Sequence, residues 1–117
     1  MPNPNTTPMI YFVRGQFVML DFDLAPKLGV TTTALNRIVK RNPARFPSDF
    51  CFQLTAIEYE NLQLKRENNP RISHLRYPPH VFTDYGAFMA ATLFTTDRSI
   101  AISLSLLRTL VHGKRKK

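Results

Sequence analysis

The chain has no tryptophan, one cysteine, four glycines and only eight acidic residues in 117. A single Cys51 cannot close an internal disulfide or supply a cysteine zinc site, which excludes a disulfide scaffold and a cysteine-based metal centre. Set between Phe50 and Phe52 in a run that reads as a strand, it is a small core hydrophobe suited to a reducing cytoplasm. No stretch approaches the roughly eighteen uninterrupted apolar residues of a membrane span, and residues Met1 to Pro8 are polar and proline-rich. Neither a transmembrane helix nor a signal peptide is therefore expected.

Catalytic patterns are also scarce. His74, His80 and His112 lack ligand spacing and have no cysteine or carboxylate arranged near them. Asp21 and Asp23 are accounted for as helix caps, and there is neither a glycine-rich phosphate loop nor a serine nucleophile motif. An enzyme is not expected, nor a metal, a cofactor or a small-molecule substrate.

Positive charge and apolar side chains are what the chain has in quantity. Hydrophobic residues make up 44% and nine are phenylalanine, enough for one compact domain to fold unaided. Sixteen Lys and Arg give a formal net charge of +8, unevenly placed: five bases and no acid lie between Leu24 and Ser48, and six bases and no acid follow Asp97. Such an excess points to a polyanion, either nucleic acid or an acidic membrane surface.

The pattern of turns and periods predicts an α+β domain: a small β-hairpin or sheet with about five helices, including a helix-turn-helix. Strands Ile10 to Val13 and Phe17 to Leu20 flank the turn Arg14-Gly15. A short helix from Leu24 to Leu28 follows, with Asp23 as its cap and Pro26 in its first turn, and Gly29 ends it. Thr31 or Thr32 starts a second helix that reaches about Asn42 and stops at Pro43. A strand is expected over Phe50 to Leu54, with Phe50, Phe52 and Leu54 on one face. Thr55 and Glu58 form a capping box for a helix to about Glu67. A loop spans Asn68 to Pro79, and Val81-Phe82 make a short strand. Thr83 caps a helix to about Phe94 with the stripe Tyr85, Phe88, Met89 and Leu93; Asp97 caps the last helix, to about His112. Residues 1–8 are read as a disordered arm, 9–112 as the domain and 113–117 as a basic tail.

One spacing carries a mechanical meaning. Ala25, Gly29, Leu35 and Ile38 make the skeleton of a helix-turn-helix: a small residue where helices cross, a glycine for the turn, and two core anchors. Thr33, Asn36, Arg37 and Lys40 fall opposite those anchors, with Thr32 at the helix start and Arg41 and Arg45 just beyond. Arg suits guanine, Asn adenine, Thr a thymine methyl and Lys phosphate. A solvated helix face is also polar, but one of that kind mixes charge signs, as the helix after Ala56 does. A second basic patch, Asn69 to Tyr77 with Arg71 and Arg76, reads either as a wing along the DNA backbone or as an irregular surface loop. The tail Lys114 to Lys117 adds attraction blind to sequence.

These residues also resemble a known family. Ile10 to Asp21, Asp23-Leu-Ala, Leu28-Gly-Val30, Leu35-Asn36, Val39 to Asn42, Arg45 to Phe50 and Phe52 to Thr55 are similar to the ORF6N domain, as are Arg76-Tyr77-Pro78 and Phe82 to Gly86. The family is related to the KilA-N and Bro-N domains of bacteria, phages and large DNA viruses, and the resemblance covers about residues 10 to 111. It implies a module that binds double-stranded DNA in phage-type or mobile-element transcriptional regulators and antirepressors, in a bacterial cytoplasm. The chain departs from it at Pro26, and the loop from Asn68 to Leu75 lacks a Gly- and Arg-rich stretch. A rival role is that of an antirepressor whose basic surface meets an acidic repressor.

The last helix carries two apolar stripes, Ile100, Leu104, Leu107, Val111 and Ile102, Leu106, Leu110. Together they exceed what one packed face needs, so a homodimer through 97–112 is expected, unless the helix is sandwiched between two layers. Two-fold symmetry would then set two recognition helices ~34 Å apart on a pseudo-palindrome.

Overall fold

A computed structural model of the chain describes residues 10–65 and 77–115, with side chains from 10–62 and 77–112. Strands β1 (Ile10–Val13) and β2 (Gln16–Leu20) form the expected hairpin, with Val13 paired to Gln16. Arg14 and Gly15 both have positive φ, 54° and 76°, the geometry that lets a two-residue loop follow the twist of its strands. Strands β3 (Cys51–Gln53) and β4 (His80–Phe82) complete an antiparallel sheet of order β1-β2-β4-β3. The short strand read at Val81-Phe82 thus lies inside the sheet, between β2 and β3.

Helices α1 (Asp21–Leu28), α2 (Thr32–Arg41), α3 (Ala56–Lys65), α4 (Asp84–Leu93) and α5 (Asp97–Arg115) bring the helices among the described residues to five, with a 3-10 turn at Pro43–Arg45. The fold is α+β. Alternation along the strands makes two cores. Cys51 and Phe82 face Leu24, Ala25, Leu28, Leu35, Phe46, Ala90 and Ala91. On the other side Val18, Leu20, Phe52 and Val81 meet Leu54 and Leu62, the latter from α3. Arg14 ties the hairpin to α3: its guanidinium donates to both carboxylate oxygens of Glu58, at 2.7 and 2.9 Å, and stands over the Phe52 ring at 4.0 Å. The Thr55–Glu58 capping box forms as its sequence predicts, with reciprocal bonds of 2.8 and 3.1 Å.

Several boundaries differ from expectation. The chain passes from β2 straight into α1 through an extended Leu20, so the helix begins at Asp21 rather than Leu24, with no side-chain cap. The expected caps Asp21 and Asp23 lie within its first turn, both buried. Asp21 still serves the helix end, because its carboxylate accepts from Phe22 N–H at 2.7 Å and lies at the positive end of the dipole. Pro26 consequently falls sixth in the helix, where its ring removes one intrahelical bond. β3 spans three residues because Phe50 N–H turns back to Pro47 O at 2.8 Å, leaving the Phe50 ring against Tyr85, centroids 5.3 Å apart.

In α4 the fully buried positions are Gly86, Ala90 and Ala91; of the expected stripe, Met89 and Leu93 are half-buried against the core, Phe88 is half-buried and Tyr85 is exposed. Small residues win there because a Cβ on Gly86 would lie 1.9 Å from the Phe50 carbonyl oxygen. Thr83 does cap α4, accepting from Gly86 N–H at 3.3 Å. At α5 the capping hydroxyl is that of Thr96, which accepts from Ser99 N–H at 2.9 Å, and Asp97 is instead the first helical residue. That helix continues to Arg115, past the expected stop at His112. Gly113 costs only about 1 kcal/mol within a helix, and the basic residues after it suit the negative end of the dipole.

Candidate nucleic-acid interface

The turn between α1 and α2 is built as the spacing predicts. Gly29 has φ 75°, its N–H reaches Pro26 O at 3.0 Å, and Val30 N–H reaches Ala25 O at 3.1 Å. This pair of bonds closes a helix with a left-handed residue, which glycine adopts without strain. Ala25 and Leu35 are fully buried near the crossing, and Thr31 caps α2 by accepting from Ala34 N–H at 3.0 Å. The start of α5 braces the turn from outside. The Thr96 hydroxyl donates to Leu28 O, and Arg98 Nη1 donates to Pro26 O at 3.0 Å.

With Leu35 buried and Ile38 and Val39 half-buried, the opposite face of α2 is left to solvent. Thr33, Arg37, Lys40 and Arg41 are exposed on it. Asn42 ends the helix, donating from Nδ2 to Ile38 O at 2.8 Å. The 3-10 turn then carries exposed Arg45, held by the buried ring of Phe46 edge-on to Phe82 at 6.3 Å. Arg37, Lys40, Arg41 and Arg45 form no ion pair or hydrogen bond among the described residues. Three cations on one face of α2 and a fourth on the turn after it, with no acid within either element, attract a polyanion.

Asn36 and Thr32 are placed differently from the rest of the predicted stripe. Both are half-buried and line a cleft of about 510 Å³ with Asp21, Phe22, Gln53, His80 and residues 77–79. Asn36 Nδ2 donates to Asp21 Oδ2 at 2.9 Å, and the same oxygen accepts from His80 N–H at 3.3 Å. Asn36 Oδ1 is buried with no partner among the described residues. The side chain read as an adenine contact is thus tied inward. Arg71 and Arg76 lie outside the described residues, as does the arm 1–8.

The family model for the ORF6N domain matches residues 8–93. This chain belongs to the ORF6N domain family. No curated protein and no solved structure shows significant similarity to it. The match runs from before β1 to the end of α4, so this ORF6N domain includes the sheet, both helices of the helix-turn-helix and the basic surface, while α5 lies beyond the matched segment. Among the described residues no helix is long and apolar enough to cross a membrane.

Sequence reasoning missed three residues that set up the ORF6N surface: Asp21, Thr96 and Arg98. Asp21 meets Asn36 fifteen positions away, and no local pattern encodes that contact. For Thr96 a signal existed, since a threonine three residues before Ser99 is a cap pattern of the kind recognised at Thr83.

Proposed function

We propose that this ORF6N domain is a sequence-specific, non-enzymatic module for double-stranded DNA that enters the major groove with α2. The observation that carries the reading is a set of cations unpaired among the described residues, Arg37, Lys40 and Arg41 on the exposed face of α2 and Arg45 on the turn after it, with the helix angle held by the Gly29 turn. Arg37 is central on that face and has the bidentate geometry for guanine, and exposed Thr33 is its neighbour for a thymine methyl. Lys40, Arg41 and Arg45 neutralise phosphates. Asn36 positions α2 through Asp21 instead of reading a base. Arg71 and Arg76 enter this reading on sequence alone.

A transcriptional regulator or antirepressor of phage or mobile-element type, working in a bacterial cytoplasm, is the biological role in keeping with such a module. Selection of bound duplexes from a random pool, followed by titration of the winner against nonspecific duplex, tests it. An enriched motif whose binding falls steeply with salt is expected. Absence of enrichment, with binding to an acidic protein that duplex DNA does not compete away, would replace this reading by that of a protein-interaction module.

A further inference from the structure

The last helix presents an apolar line that none of the described residues covers. Ile100, Leu104, Leu107 and Val111 are each 43–48% exposed. Steps of four, three and four residues place them along one side of α5, the spacing of a helix-pairing seam. The other stripe, Ile102, Leu106 and Leu110, is half-buried beside fully buried Ser99, so among the described residues the helix is packed on one side only. From Ser99 to Val111 the only charged residue is Arg108. A face meant for water carries mixed charges, and a face meant for a polyanion carries bases. This one has neither.

We infer that the stripe joins two copies of the chain, with their α5 helices antiparallel about a two-fold axis between Ser105 and Leu106. A step pattern of four, three, four reads the same in both directions. One antiparallel register therefore sets Ile100 against Val111 of the second copy and Leu104 against Leu107, twice each, and leaves no seam residue unmatched. Arg108 falls opposite Ser103. The same register brings position Lys114 across from Asp97 of the second copy, so each basic end meets an acid and the helix dipoles oppose. A parallel pair would instead crowd both runs of Lys114, Arg115, Lys116 and Lys117 together. Four half-exposed side chains make a contact at or below the low end of specific interfaces, roughly 1,200 Å², so the dimer is reversible and depends on concentration.

Sedimentation of the chain without DNA, from ~5 to ~200 µM, tests this apart from any DNA reading. The mass is expected to rise from monomer to dimer. The double variant Leu104→Glu/Leu107→Glu, altered only at exposed positions, is expected to keep its circular dichroism and melting temperature and to associate at least ~10-fold more weakly. Mixed Leu104→Cys and Leu107→Cys chains, mildly oxidised, are expected to bridge to each other in preference to themselves; Cys51 does not compete, because burial pushes its thiol up to about 12. A monomeric mass at the highest concentration, or a dimer indifferent to the two glutamates, overturns the inference. Self-bridging at equal or greater yield than cross-bridging overturns the antiparallel arrangement.

Discussion

Asn36 on the proposed recognition helix donates its side-chain amide to the buried carboxylate of Asp21, which also accepts the backbone N–H of His80. One carboxylate therefore joins the first turn of α1, the middle of α2 and strand β4. Asp21→Ala leaves these two donors, and the Phe22 N–H that the same carboxylate accepts, without their acceptor and is expected to cost roughly 1–3 kcal/mol of stability. It is also expected to weaken DNA binding for all sequences alike, since α2 loses its brace while Arg37 remains. A melt alongside a binding titration measures both; unchanged stability would mean that the Asp21 contact does not hold the helix.

Arg37 and Lys40 are expected to separate in behaviour. Arg37→Ala should cost roughly 1–3 kcal/mol on the selected duplex and flatten its sequence preference, whereas Lys40→Ala should weaken every duplex similarly and reduce the salt slope by about 1. Affinity for matched and scrambled duplexes at several salt concentrations distinguishes them. Equal losses on both duplexes for Arg37→Ala would remove it as a base reader.

Two glycines are expected to resist substitution for different reasons. Gly29→Val forces a β-branched residue to φ 75° with a Cβ 3.2 Å from Thr96 Oγ1, for an expected loss above ~1 kcal/mol. Gly86→Ala places its methyl 1.9 Å from a backbone oxygen, which no rotamer relieves, and at least about 1–3 kcal/mol should be lost. Thermal or urea melts give the values. If Gly86→Ala melted with the parent, the close approach of α4 to the Phe50 turn would be wrong.

Acid should loosen the joint between hairpin and α3. The paired hydrogen bonds from Arg14 hold the Glu58 carboxyl down to about 2 from its ordinary 4.5. A carboxylate depressed in the folded state stabilises it above the ordinary value and stops doing so as pH falls from about 4.5 through about 2. Glu58→Gln retains an acceptor for the capping box but does not titrate. Its melting temperature should therefore fall less than the parent's across that window, and parallel curves would show that the pair contributes nothing.

Local chemistry was legible wherever neighbours in sequence are neighbours in space. The Arg14-Gly15 hairpin, the Thr31, Thr55 and Thr83 caps, the Gly29 turn and the choice of Leu35 as core anchor all depend on residues within a few positions of one another, and residue type and spacing determine them. The order of motifs was also enough to place the chain in its family. Tertiary structure decided what depends on contacts between distant segments. Nothing near Asp21 in sequence announces Asn36 or His80, so sequence alone gives Asp21 only a capping role and leaves Asn36 free. Periodicity gives the stripe of α4 to its largest residues, and Met89 and Leu93 do pack on the core, but the turn at Phe50 comes so close that only a glycine fits at position 86. Of the two apolar lines on α5, which one faced inward was settled only by where α1 and α4 pack against it, since a helix with two equivalent stripes has no intrinsic inside.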